Sequence, residues 1–189
     1  MMKWLIGIAM VLAITACATI PTAIPTPKGV LAGKTVLYWD EEDGFIYVPD
    51  QADPLRYSRA GMPSVQPGIL RTDGGSIPRI FWSVKGLSPW AYGPAYVLHD
   101  FLFNEHRCGR LPAPPTGYSF EGANDVLYDA IAILVAQRKA DGGALPLIKA
   151  GVDNFGRQAW EKDPCIATPP RPFSTARRRN AIKIVEFSF

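Results

Sequence analysis

The chain has 189 residues, 48% of them hydrophobic and 20% charged, a composition that is typical of a folded domain and excludes a wholly disordered protein. Its 20 basic and 17 acidic residues give a net charge of +3, which is too even for a protein that binds nucleic acid by neutralising phosphates. Two histidines and three cysteines exclude a zinc module rich in Cys and His, and 18 prolines with 17 glycines predict a loop-rich fold.

The N-terminus has the pattern of a secretory signal. Lys3 precedes the thirteen residues 4–16, of which only one is polar, whereas a permanent membrane-spanning helix needs about 20 apolar residues. The stretch Ile14–Cys17 resembles the bacterial lipobox, which implies cleavage before Cys17 and lipidation of that residue. The alternatives are an ordinary signal peptide and a single buried helix.

The lipobox resemblance predicts a division of the chain into a lipoprotein signal peptide (1–16), a linker rich in Pro and Thr (17–29) and one domain (30–189). The protein would be a membrane-anchored lipoprotein on the periplasmic side. Because Ala18 rather than Asp follows the lipidated cysteine, the outer membrane is favoured over the inner. Its expected partners are the membrane, through the lipid, and either an envelope protein or peptidoglycan, but no nucleic acid.

Residues 35–39 and 45–48 are rich in strand-forming residues and flank an acidic turn, which predicts a hairpin. A short strand is predicted at 69–72, and the alternation after Asn180 predicts a late strand that pairs with the hairpin.

Three helices are predicted in the second half of the chain. The first runs over 95–107, the second from an N-cap at Ser119 to about residue 141, and the third over 145–162. We therefore expect an α+β fold in which a small antiparallel sheet, made of the N-terminal hairpin and a C-terminal strand, packs on a three-helix core.

Two further features concern cysteine and arginine. Cys108 and Cys165 are expected either to form a disulfide bond, since an exported chain meets an oxidising compartment, or to be two unrelated buried thiols. The run Arg177–Arg179 is expected to be a solvated turn, with contact to anionic phosphates of the envelope as the alternative.

Two polar clusters interrupt otherwise apolar sequence. His99 and Asp100 lie among large apolar residues, which indicates burial of groups that are costly to desolvate. The run Thr72–Arg79 contains two glycines and reads as a tight turn or a helix start.

Taken together, the clusters resemble a phage-associated bacterial domain family of unknown function. The family pattern is a Thr-Asp-small-small-Ser-aliphatic-Pro-Arg loop, a His-Asp helix, and a helix with an Ala-Asp and an acidic-Ala pair. The resemblance covers about residues 69–135 and implies a phage or prophage setting rather than a reaction. The first two motifs match at Thr72, Asp73, Ser76, Pro78, Arg79, His99 and Asp100.

The third motif matches with one departure. When the pair Asp129-Ala130 is aligned with the acidic-Ala pair of the family, Asn124 stands where the family has Asp, and Asp125 follows one place later. Either Asp125 takes over through a small shift or the site has lost a carboxylate.

Two hypotheses follow for these residues. In a hydrolase acting on an envelope polymer, His99, Asp100 and Asp73 would be catalytic; with Asp125 or Asp129 they would hold a divalent cation, or His99 would act as a general base without metal. In a non-enzymatic binding or exclusion protein the cofactor is none or unknown. Asp73 would then cap a helix or accept loop amides, and His99 would donate to a backbone carbonyl. Ser76, Asn124, Asp125 and Asp129 would then be structural, and Arg79 would pair with Asp100. The non-enzymatic role is the preferred one.

Overall fold

The structure is a computed structural model that describes residues 24–42, 44–72, 90–166 and 175–189. It is an α+β fold, as predicted, with three main helices and two small antiparallel sheets. In chain order the elements are β1 Val30–Ala32, β2 Lys34–Asp40, β3 Gly44–Pro49, β4 Arg56–Ser58, β5 Leu70–Thr72, α1 Gly93–Arg107, α2 Phe120–Ala136, α3 Leu145–Lys162, α4 Thr175–Asn180 and β6 Ile182–Ser188.

The larger sheet has the strand order β5-β3-β2-β6, and β1 pairs with β4 in a separate two-stranded sheet. The predicted hairpin is β2–β3, in which Val36 lies opposite Val48. The predicted late strand is β6, which pairs with β2 in antiparallel register. The last strand of the chain therefore forms one edge of the sheet that contains the predicted hairpin.

The helices begin and end for identifiable reasons. Helix α1 starts with a proline in its first turn, where no backbone donor is needed, and the hydroxyl of Ser119 accepts the backbone N–H of Gly122 as the predicted cap of α2. Helix α2 ends at Ala136, about five residues before the predicted end, because Arg138 takes a left-handed backbone conformation (φ 58°) and breaks the helix.

None of the helices in these described stretches is long and apolar enough to cross a membrane.

The start of α1 lies directly on the larger sheet. A Cβ built on Gly93 would come within 3.1 Å of Leu37 on β2 and within 3.3 Å of Phe187 on β6. A glycine at this position lets the helix backbone approach the sheet closely. Helices α1 and α2 are the most buried elements, and their core includes Ala95, Val97, Leu98, Leu102, Val126, Leu127, Ile131 and Leu134.

The run of three arginines lies in the short helix α4 rather than in the expected turn, while Arg178 and Arg179 are exposed, as expected from sequence. Arg178 donates from Nε and Nη2 to the Tyr38 hydroxyl at 3.0 and 2.9 Å. The contact joins α4 to strand β2.

Cys108 and Cys165 form a disulfide bond, which resolves the alternatives left open by the sequence. The bond joins the C-terminal end of α1 to the segment after α3. The side chain of Asn104 supports the same junction, because it accepts the backbone N–H of Ile166 at 2.9 Å and donates to its carbonyl at 3.0 Å.

We predict that replacing both cysteines (Cys108→Ala with Cys165→Ala) lowers the free energy of unfolding by about 4 kcal/mol. The bond closes a loop with a sequence separation of 57, and the loop entropy of the unfolded chain scales with that length. Urea unfolding of the oxidised wild type and the double variant measures the difference. Equal unfolding midpoints would contradict the prediction.

Candidate functional site

The predicted catalytic histidine lies in a buried pair with an amide. His99 on α1 is 7% exposed and Asn124 on α2 is 2% exposed, and His99 Nε2 lies 3.1 Å from Asn124 Oδ1. In the tautomer protonated at Nε2, the ring donates to the amide oxygen. The ring also packs against Phe103, with ring centroids 4.1 Å apart. Thus the partner of His99 is a neutral side chain, and not the backbone carbonyl expected from sequence.

Asp100 is adjacent to His99 in sequence but turns to a different partner. Its Oδ1 lies 3.9 Å from His99 Nδ1, which is beyond hydrogen-bond distance, whereas Thr72 Oγ1 donates to Asp100 Oδ2 at 2.5 Å. The contact ties β5 to α1 at the point where the predicted loop motif begins. Thr72, Asp100, His99 and Asn124 thus form one polar cluster that runs from β5 across α1 to α2.

Asp125 does not take the place of Asn124 beside His99. Successive residues of an α-helix project about 100° apart, so the two side chains leave α2 in different directions. The Asp125 side chain is 60% exposed and lies 3.9 Å from Arg59. The position facing His99 is therefore filled by an amide.

Asp129 lies on the same face of α2 as Asp125, one turn further along, and forms the most connected buried carboxylate among the described residues. Its Oδ1 accepts the backbone N–H of Lys28 at 2.7 Å, and its Oδ2 accepts the backbone N–H of Gly29 and the Tyr57 hydroxyl, each at 2.7 Å. Burial and this bond to Asp129 raise the pKa of Tyr57 above 10.0. We call these four residues the Asp129 clamp.

Gly29 is required by the geometry of the clamp. A Cβ at this position would lie 2.6 Å from the ring of Tyr57 and 2.8 Å from Asp129 Oδ2. Any larger residue would push the chain away from the carboxylate.

Sequence reasoning named Asp129 but missed its partners. Lys28 and Gly29 fall in the stretch that composition assigns to the linker, and Tyr57 lies 72 residues from Asp129 in sequence. The dipeptide Lys-Gly carries no local signal for an interaction through its backbone. One sequence signal does indicate the clamp. Asp129 is an acidic residue on the apolar face of a strongly predicted helix, and a buried acid requires hydrogen-bond partners.

Several predicted site residues lie outside the described residues: Cys17, Asp73, Ser76, Pro78 and Arg79. Whether Asp73 approaches His99 or Arg79 pairs with Asp100 thus stays a prediction. Within residues 24–42, 44–72, 90–166 and 175–189, no three His, Cys, Asp or Glu side chains are grouped closely enough to hold one metal ion.

The sequence from β4 to the turn after α2 matches a known family. Residues 52–141 match the family model of DUF1353, which describes proteins of unknown function. The match includes the whole region of the resemblance found in the sequence and covers slightly less than half of the chain. No curated protein matches the chain, and no solved structure matches it.

The DUF1353 segment contains helices α1 and α2 and the cluster of Thr72, His99, Asp100 and Asn124, but only part of the fold. Strands β1 to β3, helix α3 and strand β6 lie outside it. The Asp129 clamp crosses this boundary, since Tyr57 and Asp129 lie inside the segment while Lys28 and Gly29 lie before it.

We predict that Asp129→Ala lowers the free energy of unfolding by about 2–3 kcal/mol, because two amides and a phenol lose their acceptor. The matched control is Asp125→Ala, one turn away on the same helix, where an exposed acid is removed and a change within about 0.5 kcal/mol is expected. Urea unfolding of both variants checks the difference. Equal losses of unfolding free energy in the two variants would show that the clamp contributes no more to stability than an exposed acidic residue.

We also predict that His99 and Asn124 are energetically coupled. His99→Leu and Asn124→Leu each leave a buried polar group without its partner and should each lower stability by about 1–3 kcal/mol. The double variant replaces both partners with apolar groups of similar size and should lose clearly less than the sum of the two. Additive losses in a double-mutant cycle would contradict the pairing.

Proposed function

We propose that the protein is an envelope lipoprotein of phage or prophage type, anchored by lipid on Cys17, whose DUF1353 segment has a non-enzymatic binding or exclusion role. A concrete form of this role is to block a phage entry receptor in the same membrane. Two observations support the proposal: the lipobox-like N-terminus, and the burial of His99 in a pair with Asn124.

The observation that carries the non-enzymatic part is the buried pair of His99 with the neutral Asn124. A general base must reach the proton that it abstracts, either directly or through one water molecule. His99 is 7% exposed, its ring packs against Phe103, and its Nε2 is occupied by the Asn124 amide. The arrangement supports a role in fixing α1 against α2.

The acidic residues of α2 also support a non-enzymatic role. Asp129 accepts three hydrogen bonds from the fold, and Asp125 lies beside Arg59. Neither is directed at His99, so the described carboxylates of α2 do not supply the ligand set that a metal-dependent hydrolase would need.

The hydrolase alternative would rely on Asp73 together with His99 and Asp100. A metal content measurement on the mature protein separates the two functions: one tightly bound zinc ion per chain would favour the hydrolase.

The anchor and the role are tested together by expressing the full chain in a bacterial host. We expect a radiolabelled fatty acid to enter the wild type and the double Cys108→Ser/Cys165→Ser variant, but not Cys17→Ser, because the lipid bond forms at Cys17 alone. Plating of phages that use one common receptor should fall with the wild type and recover with Cys17→Ser.

The variant His99→Leu/Asn124→Leu is the control for chemistry, because it keeps a packed core but has no imidazole. Exclusion that persists in this variant supports the binding role. Exclusion that is lost in a folded His99→Leu/Asn124→Leu protein would favour the hydrolase, and unchanged plating of every phage with the wild type would contradict the exclusion role.

A further inference from the structure

An open cleft lies beside the Asp129 clamp, where residues 24–29 meet the middle of α2 and the start of α3. We call residues 24–29 the tether segment. The cleft has a volume of about 330 Å³, within the size range of small-molecule sites. One wall is the tether segment and the other is formed by α2 and the start of α3. The lining of the cleft includes Pro25, Lys28, Arg59, Asp125, Pro146 and Lys149.

Three cations from three separate parts of the chain line the cleft. Lys149 on α3 contacts Asp153 at 2.7 Å and also lies over the ring of Tyr128. Arg59 lies 3.9 Å from Asp125. The ammonium group of Lys28 has no hydrogen bond or ion pair with the described residues, since only its backbone N–H is engaged, by Asp129.

The charge of the lining suits a single negative charge. Three cations and the carboxylates of Asp125 and Asp129 line the cleft, while Asp153, just outside the lining, pairs with Lys149. Among the described residues, Lys28 is therefore the lining cation that has no carboxylate partner of its own. The Asp129 carboxylate is already surrounded by three donors, which reduces its repulsion of an incoming anion. Apolar residues beside the cations, such as Pro25 and Pro146, fit a ligand in which a phosphate is joined to an apolar part.

The position of the cleft relative to the anchor indicates where such a ligand would come from. Ile24 is the first described residue and lines the cleft, and its side chain packs over Gly142. From Cys17 to Ile24 the chain can span at most about 25 Å. A lipid on Cys17 therefore keeps the mouth of the cleft close to the membrane surface.

We propose that this cleft binds the headgroup of a singly charged anionic phospholipid, such as phosphatidylglycerol, in the membrane to which the chain is tethered. The inference rests on the proposed lipid anchor and adds a second contact to it. The headgroup phosphate would lie between Lys28, Arg59 and Lys149, and the apolar residues would face its glycerol backbone.

The test compares the mature lipidated protein in vesicles of phosphatidylcholine with the same protein in vesicles that also contain phosphatidylglycerol. A water-soluble amine-acylating reagent reports on each lysine by mass spectrometry. We expect Lys28 to react about fivefold more slowly in the anionic vesicles, the effect of one lysine–headgroup contact, relative to the exposed Lys183 on β6 as an internal reference. The protection should disappear in Lys149→Gln and persist in Lys162→Gln, a substitution on the same helix outside the cleft.

Equal rates at Lys28 in both vesicle types, or protection that survives Lys149→Gln, would overturn the cleft assignment. A second control adds inorganic phosphate to the protein in phosphatidylcholine vesicles. If free phosphate protects Lys28 to the same degree as phosphatidylglycerol, the cleft is a site for free phosphate, and the lipid source is overturned. Failure of the anchor gives a different result, namely no lipid on Cys17 in the intact mass. A soluble short-chain phosphatidylglycerol then probes Lys28 of the same chain, with the same fivefold protection expected.

Discussion

The structure depends on one buried carboxylate. Asp129 accepts hydrogen bonds from Lys28, Gly29 and Tyr57, and so holds the tether segment, strand β4 and helix α2 at one point. An ionised carboxylate has two oxygens that accept without donating, which an asparagine in the same place would not provide. Because hydrogen bonds to a charged acceptor are stronger than neutral ones, this side chain secures a segment that has few apolar residues of its own.

Helix α2 separates two kinds of polar contact by the direction in which its residues project. Asn124 faces His99 on α1, while Asp129 faces the tether segment and Asp125 lies beside Arg59. The separation explains why the third motif of the family pattern does not give a carboxylate beside His99 in this chain. Moving a carboxylate from position 124 to position 125 rotates it by about 100° around the helix axis. A small backbone adjustment cannot bring it back to His99.

Local patterns were sufficient to predict the α+β class, the hairpin, the last strand and all three main helices, because each has a clear apolar period or cap. The contacts that position the site join distant parts of the chain and leave no local pattern. Tyr57 and Asp129 are 72 residues apart, and the sequence left the pairing of Cys108 with Cys165 open for the same reason. The end of α2 was misplaced because Arg138 adopts a left-handed conformation that is rare for arginine.

The clamp also bears on how a lipid-anchored form of this protein would find a partner. With lipid at Cys17, the domain is attached through a short connection that ends at Ile24, so its distance from the bilayer is limited to about 25 Å. A partner in the same membrane then meets the domain at an effective concentration on the order of millimolar. Under those conditions a weak contact surface is enough for a binding or exclusion role. A fixed exit point for the tether, which Asp129 provides, determines which face of the domain that partner meets.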